Sequence, residues 1–180
     1  MKPISRKRDE KIALMFAPIS LFSPGMLADI VRRSYAELIE RSPLHWAGES
    51  EKWDDFDREA FAHPETVGKC VFVSLLDGEP VGLASWDPRQ GPRLGLVGQN
   101  CVLPEFRGRG FGTLQISEIL RRFREKEIRT ARVTTSGHPF FLPARRMYES
   151  LGFKEVRRFA GGPDPNYGLI DFELTLAPLK

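Results

Sequence analysis

The apolar positions of this sequence change between helical and extended spacing, which predicts alternating helices and strands. Residues 27–39 carry an apolar stripe at three- and four-residue spacing, typical of an amphipathic helix, and residues 50–62 predict a second, more polar helix. Residues 67–76 and 79–86 alternate around Asp77-Gly78, a pair that favours a tight hairpin turn. The later elements are predicted as strands at 94–103, 128–135, 153–159 and 169–176, and as helices ending near Lys126 and Gly152.

The beginning of the chain predicts one domain behind a short polar segment. Residues 1–10 are expected to be mobile, and residues 11–180 are expected to form a single domain whose first strand covers 11–19. Ser23 is predicted to cap the first helix, and Pro24 fits its first turn. Ser42-Pro43 is predicted to end that helix, because proline cannot continue it.

The most informative segment is Arg107-Gly108-Arg109-Gly110-Phe111-Gly112, which joins a predicted strand to a predicted helix. The start of a helix presents unpaired main-chain N–H groups and the positive end of its dipole, so it binds phosphate oxygens. Glycines let the main chain approach the anion closely, and the two arginines add positive charge. The sequence therefore predicts a phosphate-bearing ligand at residues 107–113.

Two common phosphate loops do not fit this segment. A P-loop needs Lys followed by Ser or Thr after its last glycine, whereas Gly112 is followed directly by Thr113. A dinucleotide fingerprint needs G-x-G-x-x-G, and here the third glycine comes one position too early.

The pattern R-x-x-G-x-G, formed by Arg107, Gly110 and Gly112, resembles that of the GNAT superfamily of acyl-CoA-dependent N-acyltransferases. Residues 102–106 resemble the lead-in of that motif, and residues 147–153 resemble the late helix-turn-strand signature of the family. The resemblance is clear over about residues 67–160. It implies an α/β fold with a mixed sheet of about seven strands flanked by about four helices.

The resemblance also implies acetyl-CoA as the acyl donor, with no metal. The pyrophosphate of coenzyme A is expected at the glycine-rich turn, and the pantetheine arm is expected along the main chain of the preceding strand. Relatives commonly have an asparagine that contacts this arm, where the present chain has Phe140-Phe141-Leu142-Pro143, so that contact is either apolar, through Phe141, or absent. The expected cofactor-binding residues are Val102, Leu103, Arg107, Gly108, Arg109, Gly110, Phe111, Gly112, Thr113 and Phe141.

Two residues are candidates for proton transfer. By resemblance, the Tyr148 hydroxyl faces the sulfur of coenzyme A and would act as the acid. The fourth strand offers Gln99 and Asn100 where relatives often have a glutamate, and an amide cannot take a proton. The base is then either a water held by these amides or His138, whose ordinary pKa is near neutrality.

Composition narrows the functional classes. The net charge is +3, from 27 basic and 24 acidic side chains, which makes no strong case for nucleic acid. No apolar stretch reaches membrane-spanning length, so no membrane partner is expected and the predicted location is cytoplasmic. Cys70 and Cys101 lie in apolar segments and are predicted to be free thiols.

The predicted function is transfer of an acetyl group from acetyl-CoA to a primary amine of a small molecule or peptide. The acidic residues of the second helix could receive a cationic amine, although a solvated helix face explains them better. The alternatives are a catalytically weak module that senses acyl-CoA and, on scattered basic residues alone, a nucleic-acid-associated protein. Because edge strands of such sheets often pair with another subunit, a homodimer is also considered.

Overall fold

The computed structural model describes residues 14–178, so the polar segment at 1–10 lies outside the described residues. Seven strands form one mixed sheet in the order β1-β2-β3-β4-β5-β7-β6, in which β4 and β5 are parallel and all other neighbours are antiparallel. The strands are β1 (Leu14–Pro18), β2 (Val71–Leu76), β3 (Glu79–Asp87), β4 (Gly95–Val102), β5 (Thr130–Ser136), β6 (Lys154–Phe159) and β7 (Leu169–Thr175).

Six α-helical segments occur within residues 14–178, four of them between β1 and β2. The prediction of a mixed α/β sheet of about seven strands is confirmed. The helices outnumber the predicted four because residues 26–62 form several short segments instead of two long ones. The helices are α1 (Met26–Ser34), α2 (Ala36–Arg41), α3 (Pro43–Trp46), α4 (Glu49–Ala62), α5 (Phe111–Glu125) and α6 (Leu142–Ser150).

The first helix starts later than predicted and is capped from a distance. Ser23 is not its cap; Gly25 takes that position, with φ at +95° and no side chain of its own to accept from the helix. The buried Asp57 carboxylate on α4 accepts instead from the main-chain N–H groups of Gly25, Leu27 and Ala28, at 2.7, 2.9 and 3.3 Å. A residue 30 positions away from Leu27 thus accepts the hydrogen bonds from N–H groups that a local N-cap side chain would otherwise accept.

The predicted long helix is interrupted at Tyr35, whose ψ of 9° leaves the helical range between α1 and α2. Ser42-Pro43 ends α2 as predicted, but Pro43 then begins the short α3, which the apolar pattern did not indicate. Proline is accommodated in a first helical turn because its missing N–H would have no partner there. The break at Tyr35 positions an aromatic side chain that stacks on Trp53 of α4.

Each face of the sheet has its own apolar core. One core joins the sheet to α5 and α6 and includes the fully buried Phe72, Phe123 and Phe172. The other joins it to α1 and α4 and includes Leu27 and Trp53. Burial of each such side chain stabilises the fold by about 1.5–3 kcal/mol, so both helix layers are held firmly against the sheet. No helix among residues 14–178 combines the length and apolarity needed to cross a bilayer.

The central pair of strands separates halfway along its length. The parallel pairing of β4 with β5 covers only residues 95–97 and 131–133. Beyond it, β4 continues against β3 while β5 continues against β7, so the carboxyl-terminal half of β4 has one free edge. Ligands of open α/β sheets bind outside the carboxyl ends of strands, so a binding site is expected where β4 and β5 diverge.

Candidate active site

A cavity of about 330 Å³ lies where β4 and β5 separate. It is bordered by the end of β4, the glycine-rich turn, the first turn of α5 and the segment that leads into α6. Its walls are mainly apolar and aromatic, with main-chain N–H groups along one side. The lining residues are Tyr35, Asn100, Cys101, Val102, Phe106, Arg107, Gly108, Gly110, Phe111, Gly112, Thr113, Phe140, Phe141, Pro143, Ala144 and Met147.

The glycine-rich turn offers a continuous row of unused hydrogen-bond donors. The main-chain N–H groups of residues 108–113 donate to no group within the described part of the chain. Gly108 and Gly110 have φ of +75° and +80°, a left-handed conformation that glycine adopts without strain, and open space surrounds both. These N–H groups stand at the start of the 15-residue α5, so the turn combines free donors with the positive end of a helix dipole.

The third glycine has a packing role. A Cβ atom built on Gly112 would lie 3.2 Å from the Met147 sulfur, closer than most real contacts of that kind. Glycine here lets α6 approach the first turn of α5, which closes the cavity on that side.

The two arginines of the turn have different surroundings. The Arg107 side chain reaches away from the turn: its Nε donates to the Val102 carbonyl at 3.1 Å, and its Nη2 donates to the Ser34 carbonyl. Its guanidinium also lies 5.4 Å from the centre of the Phe140 ring, so it links the end of β4 to α1 and to the segment before α6. Arg109 lies outside the cavity lining, with its guanidinium over Phe106.

Only one of the two predicted strand contacts faces the opening. Leu103 is buried, and its N–H donates to the Val81 carbonyl at 2.9 Å, so it bonds toward β3. Successive residues of a strand direct their main-chain groups to opposite edges. Val102 therefore faces the free edge and lines the cavity, whereas Leu103 does not.

Tyr148 lies beneath the cavity rather than in its wall. The side chain is 4% exposed and packs against Phe153 and Phe172. Burial raises the pKa of its hydroxyl to about 12, while a hydrogen bond with the Asn100 side chain offsets part of that rise. Tyr148 is consequently a neutral proton donor at neutral pH.

Asn100 lies between Tyr148 and the cavity. From the sequence, its only predicted role is to hold a water molecule that could act as the base. It lines the cavity, and its buried Oδ1 has no hydrogen-bond partner within residues 14–178. A buried acceptor without a donor is costly, by about 1–3 kcal/mol, so this atom is suited to a donor that a ligand brings.

His138 is not brought into the cavity. Its Nδ1 accepts from the Phe140 N–H at 3.1 Å, and its ring packs edge-on against Tyr167 with centres 4.6 Å apart. A neutral imidazole has one ring nitrogen that can accept, and in His138 that nitrogen is already occupied. The geometry therefore does not favour His138 as the base.

An aromatic wall that the sequence did not indicate forms the side of the cavity toward α1. The Tyr35 ring stacks on Trp53 with centres 5.5 Å apart and contacts Phe140 and Phe141 at 6.0 and 5.9 Å. Phe141 lines the cavity, and its apolar contact with the cofactor stays a prediction. Tyr35 shows no motif in the sequence, and only the position of the helix break between α1 and α2 could have indicated it.

Four acidic residues of α4 are engaged in contacts within the protein. Asp57 caps α1, and Asp54 pairs with Arg32 at 2.8 Å. Glu49 pairs with Lys52, and Asp55 pairs with Arg58. These contacts agree with a solvated helix face better than with a wall that receives a cationic amine.

The sequence of this chain matches the model of one protein family. The family model described as the acetyltransferase (GNAT) family matches residues 32–153, more than half of the chain. The chain belongs to the GNAT acetyltransferase family. Sequence comparison with curated proteins gives no significant match.

Solved structures of GNAT proteins share the fold. A GNAT-family protein from Desulfovibrio desulfuricans is 20% identical and aligns over 92% of this chain and 100% of its own, with a TM-score of 0.70. YncA from Salmonella typhimurium, whose structure contains its cofactor acetyl-CoA, is 17% identical over 95% of this chain and 97% of its own, with a TM-score of 0.66. Aminoglycoside 6′-acetyltransferase type Ii is 16% identical over 92% and 99%, with a TM-score of 0.60.

Family membership makes this chain an acyl-CoA-dependent N-acetyltransferase, and acetyl-CoA is the acyl donor that GNAT acetyltransferases use. The donor fits the observed cavity, since six unused main-chain N–H groups suit an anion and the free edge of β4 suits an amide-bearing arm. The matched segment contains both the glycine-rich turn and Tyr148.

Proposed function

We propose that this chain transfers an acetyl group from acetyl-CoA to a primary amine of a small molecule or peptide by direct attack. The observation that carries the proposal is the row of six free main-chain N–H groups at the start of α5, in the wall of a cavity between divergent strands. Such donors suit a diphosphate, and an acyl group on the same molecule would extend toward Asn100.

The proposed cofactor contacts follow the order of the cavity wall. Residues 108–113 would hold the pyrophosphate through their N–H groups, with the Arg107 and Arg109 charges nearby. Val102 would bind the pantetheine arm through the free edge of β4, after the Arg107 guanidinium releases the Val102 carbonyl. Phe141 would make an apolar contact with the arm.

Acetyl-CoA supplies the acetyl group as a thioester. The transfer forms one N–C bond and breaks one C–S bond, and in net one proton moves from nitrogen to sulfur. Tyr148 would donate its phenolic proton to the departing sulfur and recover a proton that the nitrogen releases. Its high pKa suits this role, because the hydroxyl is protonated at working pH.

Release of coenzyme A tests the proposal. The protein is mixed with acetyl-CoA and a panel of small primary amines and short peptides, and the free thiol is measured together with the mass of the acetylated product. We expect turnover with at least one amine class. Tight binding of acetyl-CoA in calorimetry without transfer to any amine would instead support a module that senses acyl-CoA. The one observation that favours such a sensor is that Asn100 has an amide where a catalytic base would need a carboxylate.

Location and assembly also remain proposals. We propose a cytoplasmic location, since both Cys70 and Cys101 are free thiols, as is usual in a reducing compartment. A homodimer through β6 is proposed because this strand ends the sheet and its residues 154–158 are exposed. Light scattering of the purified protein distinguishes the monomer from the dimer.

A further inference from the structure

His138 lies where the chain leaves β5 and enters the segment that borders the cavity. The next three residues, Pro139–Phe141, form one short helical turn, after which α6 begins. The Phe141 N–H donates to the His138 carbonyl at 3.0 Å, which closes this turn. Since Phe140 and Phe141 both line the cavity, the conformation of the turn decides where the apolar wall stands.

The imidazole of His138 caps this turn. Its Nδ1 accepts from the Phe140 N–H at 3.1 Å, a group that has no main-chain partner at the start of a helical turn. The cap needs the neutral ring, because an imidazolium carries a proton on both nitrogens and can only donate. Protonation of His138 therefore replaces the acceptor with a donor that faces the Phe140 N–H.

Other contacts fix the ring and the main chain on either side of this hydrogen bond. The His138 N–H donates to the Ser136 hydroxyl at 3.1 Å, and Arg145 Nη1 on α6 donates to the carbonyls of Ser136 and His138 at 2.9 and 3.0 Å. The ring packs edge-on against both Trp46 and Tyr167, with centres 6.4 and 4.6 Å away. Because the ring is packed against two others, protonation is expected to move the turn rather than the ring.

Two cations lie near the turn and disfavour an imidazolium. The Arg145 guanidinium binds the His138 carbonyl, and the Arg107 guanidinium lies 5.4 Å from the centre of the Phe140 ring. A bound diphosphate would neutralise Arg107, but Arg145 lies on α6 and remains beside His138 in either case. Like charge disfavours a further positive charge on the imidazole.

The neighbouring elements provide no salt bridge that would favour protonation. Asp164, in the segment before β7, lies 3.9 Å from His45 on α3 and accepts from Asn166. Within residues 14–178, the histidines within 4.0 Å of a carboxylate are His45 and His63, not His138. Tyr35, which contacts both phenylalanines of the turn, is neutral because burial raises its pKa well above the usual range.

We propose that His138 is a positioning residue for acetyl-CoA binding. Its neutral imidazole holds Phe140 and Phe141 in the cavity wall, and protonation of the ring releases them. Binding of acetyl-CoA then weakens in acid, because the turn must be ordered without its cap when the ligand enters. The inference rests on the proposed acetyltransferase function for the identity of the ligand.

Three substitutions separate the hydrogen bond from the charge. His138→Asn replaces Nδ1 with an amide oxygen, which is a favoured cap of helical turns and does not titrate. His138→Leu removes the acceptor and keeps a side chain that can pack. His63→Asn removes an exposed histidine at the end of α4 and serves as the control.

Calorimetry measures the affinity of each intact protein for acetyl-CoA at pH 8 and pH 5.5, a range in which histidine ordinarily changes charge. The 3′-phosphate of coenzyme A also titrates, near pH 6, so the proteins are compared with one another at each pH. Between pH 8 and pH 5.5, we expect the unmodified protein to lose about 3–10-fold in affinity relative to His138→Asn, the factor that one hydrogen bond gives. His63→Asn should follow the unmodified protein.

His138→Leu should bind acetyl-CoA more weakly than the unmodified protein at pH 8 and should show no such additional loss at pH 5.5. Circular dichroism at both pH values shows which variants are folded, and the comparison with His138→Asn decides the matter if His138→Leu is not. An affinity ratio of the unmodified protein to His138→Asn that is the same at both pH values would overturn the inference.

The main-chain amide of Phe140 gives a second measurement that needs no ligand. In isotope-labelled protein, we expect the nuclear magnetic resonance shift of this amide to change with the same midpoint as the ring protons of His138, and to stay constant in His138→Asn. A Phe140 amide that does not follow the ring would overturn the inference. If acetyl-CoA binds at neither pH, the proposed cofactor is refuted, whereas the amide titration still decides whether His138 controls the turn.

Discussion

The Asp57 carboxylate accepts a hydrogen bond from the Leu27 N–H at 2.9 Å, which joins α4 to the start of α1. The same carboxylate accepts from Gly25 and Ala28, so one side chain satisfies three N–H groups at the beginning of a helix. This contact fixes the layer from which Tyr35 and Trp53 extend toward the cavity.

Replacing Asp57 should therefore destabilise the protein. Asp57→Ala leaves three donors without a partner at a buried helix start, and we expect the free energy of unfolding to fall by about 2–4 kcal/mol. Urea denaturation followed by circular dichroism measures the change. The matched Asp55→Ala removes an exposed carboxylate from the same helix and should alter stability by less than about 0.5 kcal/mol. Equal effects of the two substitutions would refute the capping role.

A carboxylate in the glycine-rich turn should remove acetyl-CoA binding. Gly110→Asp places negative charge against the proposed diphosphate site, and we expect affinity to fall about 100-fold or more in calorimetry. Gly78→Asp is the control, because Gly78 has a similar φ of +87° in open space but lies in the hairpin between β2 and β3. If both variants bind acetyl-CoA like the unmodified enzyme, the turn does not hold the phosphates.

Loss of the Tyr148 hydroxyl should slow transfer without weakening cofactor binding. We expect Tyr148→Phe to lower kcat about 100-fold or more, since proton transfer by a positioned acid contributes about that much. Stopped-assay thiol release gives kcat, and calorimetry gives the affinity for acetyl-CoA. Tyr167 is exposed and lies outside the cavity lining, so we expect the control variant Tyr167→Phe to keep the kcat of the unmodified enzyme. An undiminished kcat in Tyr148→Phe would exclude the hydroxyl from the reaction.

Buried groups that stay protonated predict a loss of stability in alkali. Burial raises the pKa of Cys101 from 9.0 to about 11, so the folded chain keeps this proton where the unfolded chain loses it. The contribution is complete below pH 9 and decreases as the pH rises toward 11, by about 1 kcal/mol per pH unit. In Cys101→Ala, we expect the unfolding free energy to fall less steeply over this window, as measured by urea denaturation at pH 8, 9, 10 and 11. Parallel curves for the two proteins would contradict the raised pKa.

Slow alkylation of Cys101 is a separate consequence of the same environment. The thiolate is the reactive form, so a thiol with a pKa of about 11 should react with iodoacetamide far more slowly at pH 8 than an exposed cysteine of an unfolded chain. Because Cys101 lines the cavity, acetyl-CoA should slow the reaction further. Peptide mass mapping separates Cys101 from the partly exposed Cys70. Protection at Cys70 alone would contradict the proposed cofactor position.

Local sequence patterns determined much of the fold and the glycine-rich turn. The Asp77-Gly78 hairpin was predicted from two residues, and the structure gives both a positive φ. The strand-turn-helix at residues 95–125 was predicted from apolar spacing and glycines, because both signals act over a few neighbouring residues. Family resemblance, also carried by short motifs, gave the acyl donor.

Tertiary structure decided what the side chains of that site touch. The capping of α1 by Asp57, the use of the Leu103 N–H by Val81 and the packing of the His138 ring against Tyr167 all depend on residues far apart in the sequence. Whether Asn100 or its neighbours face the cavity depends on how β4 separates from β5. The sequence by itself determined where a helix could present its N–H groups to an anion, since that is a property of the local main chain. Only the packing of distant segments decided which acceptors, donors and charges remain free around those N–H groups, because a hydrogen bond forms between groups that the fold brings together, however far apart they are in the sequence.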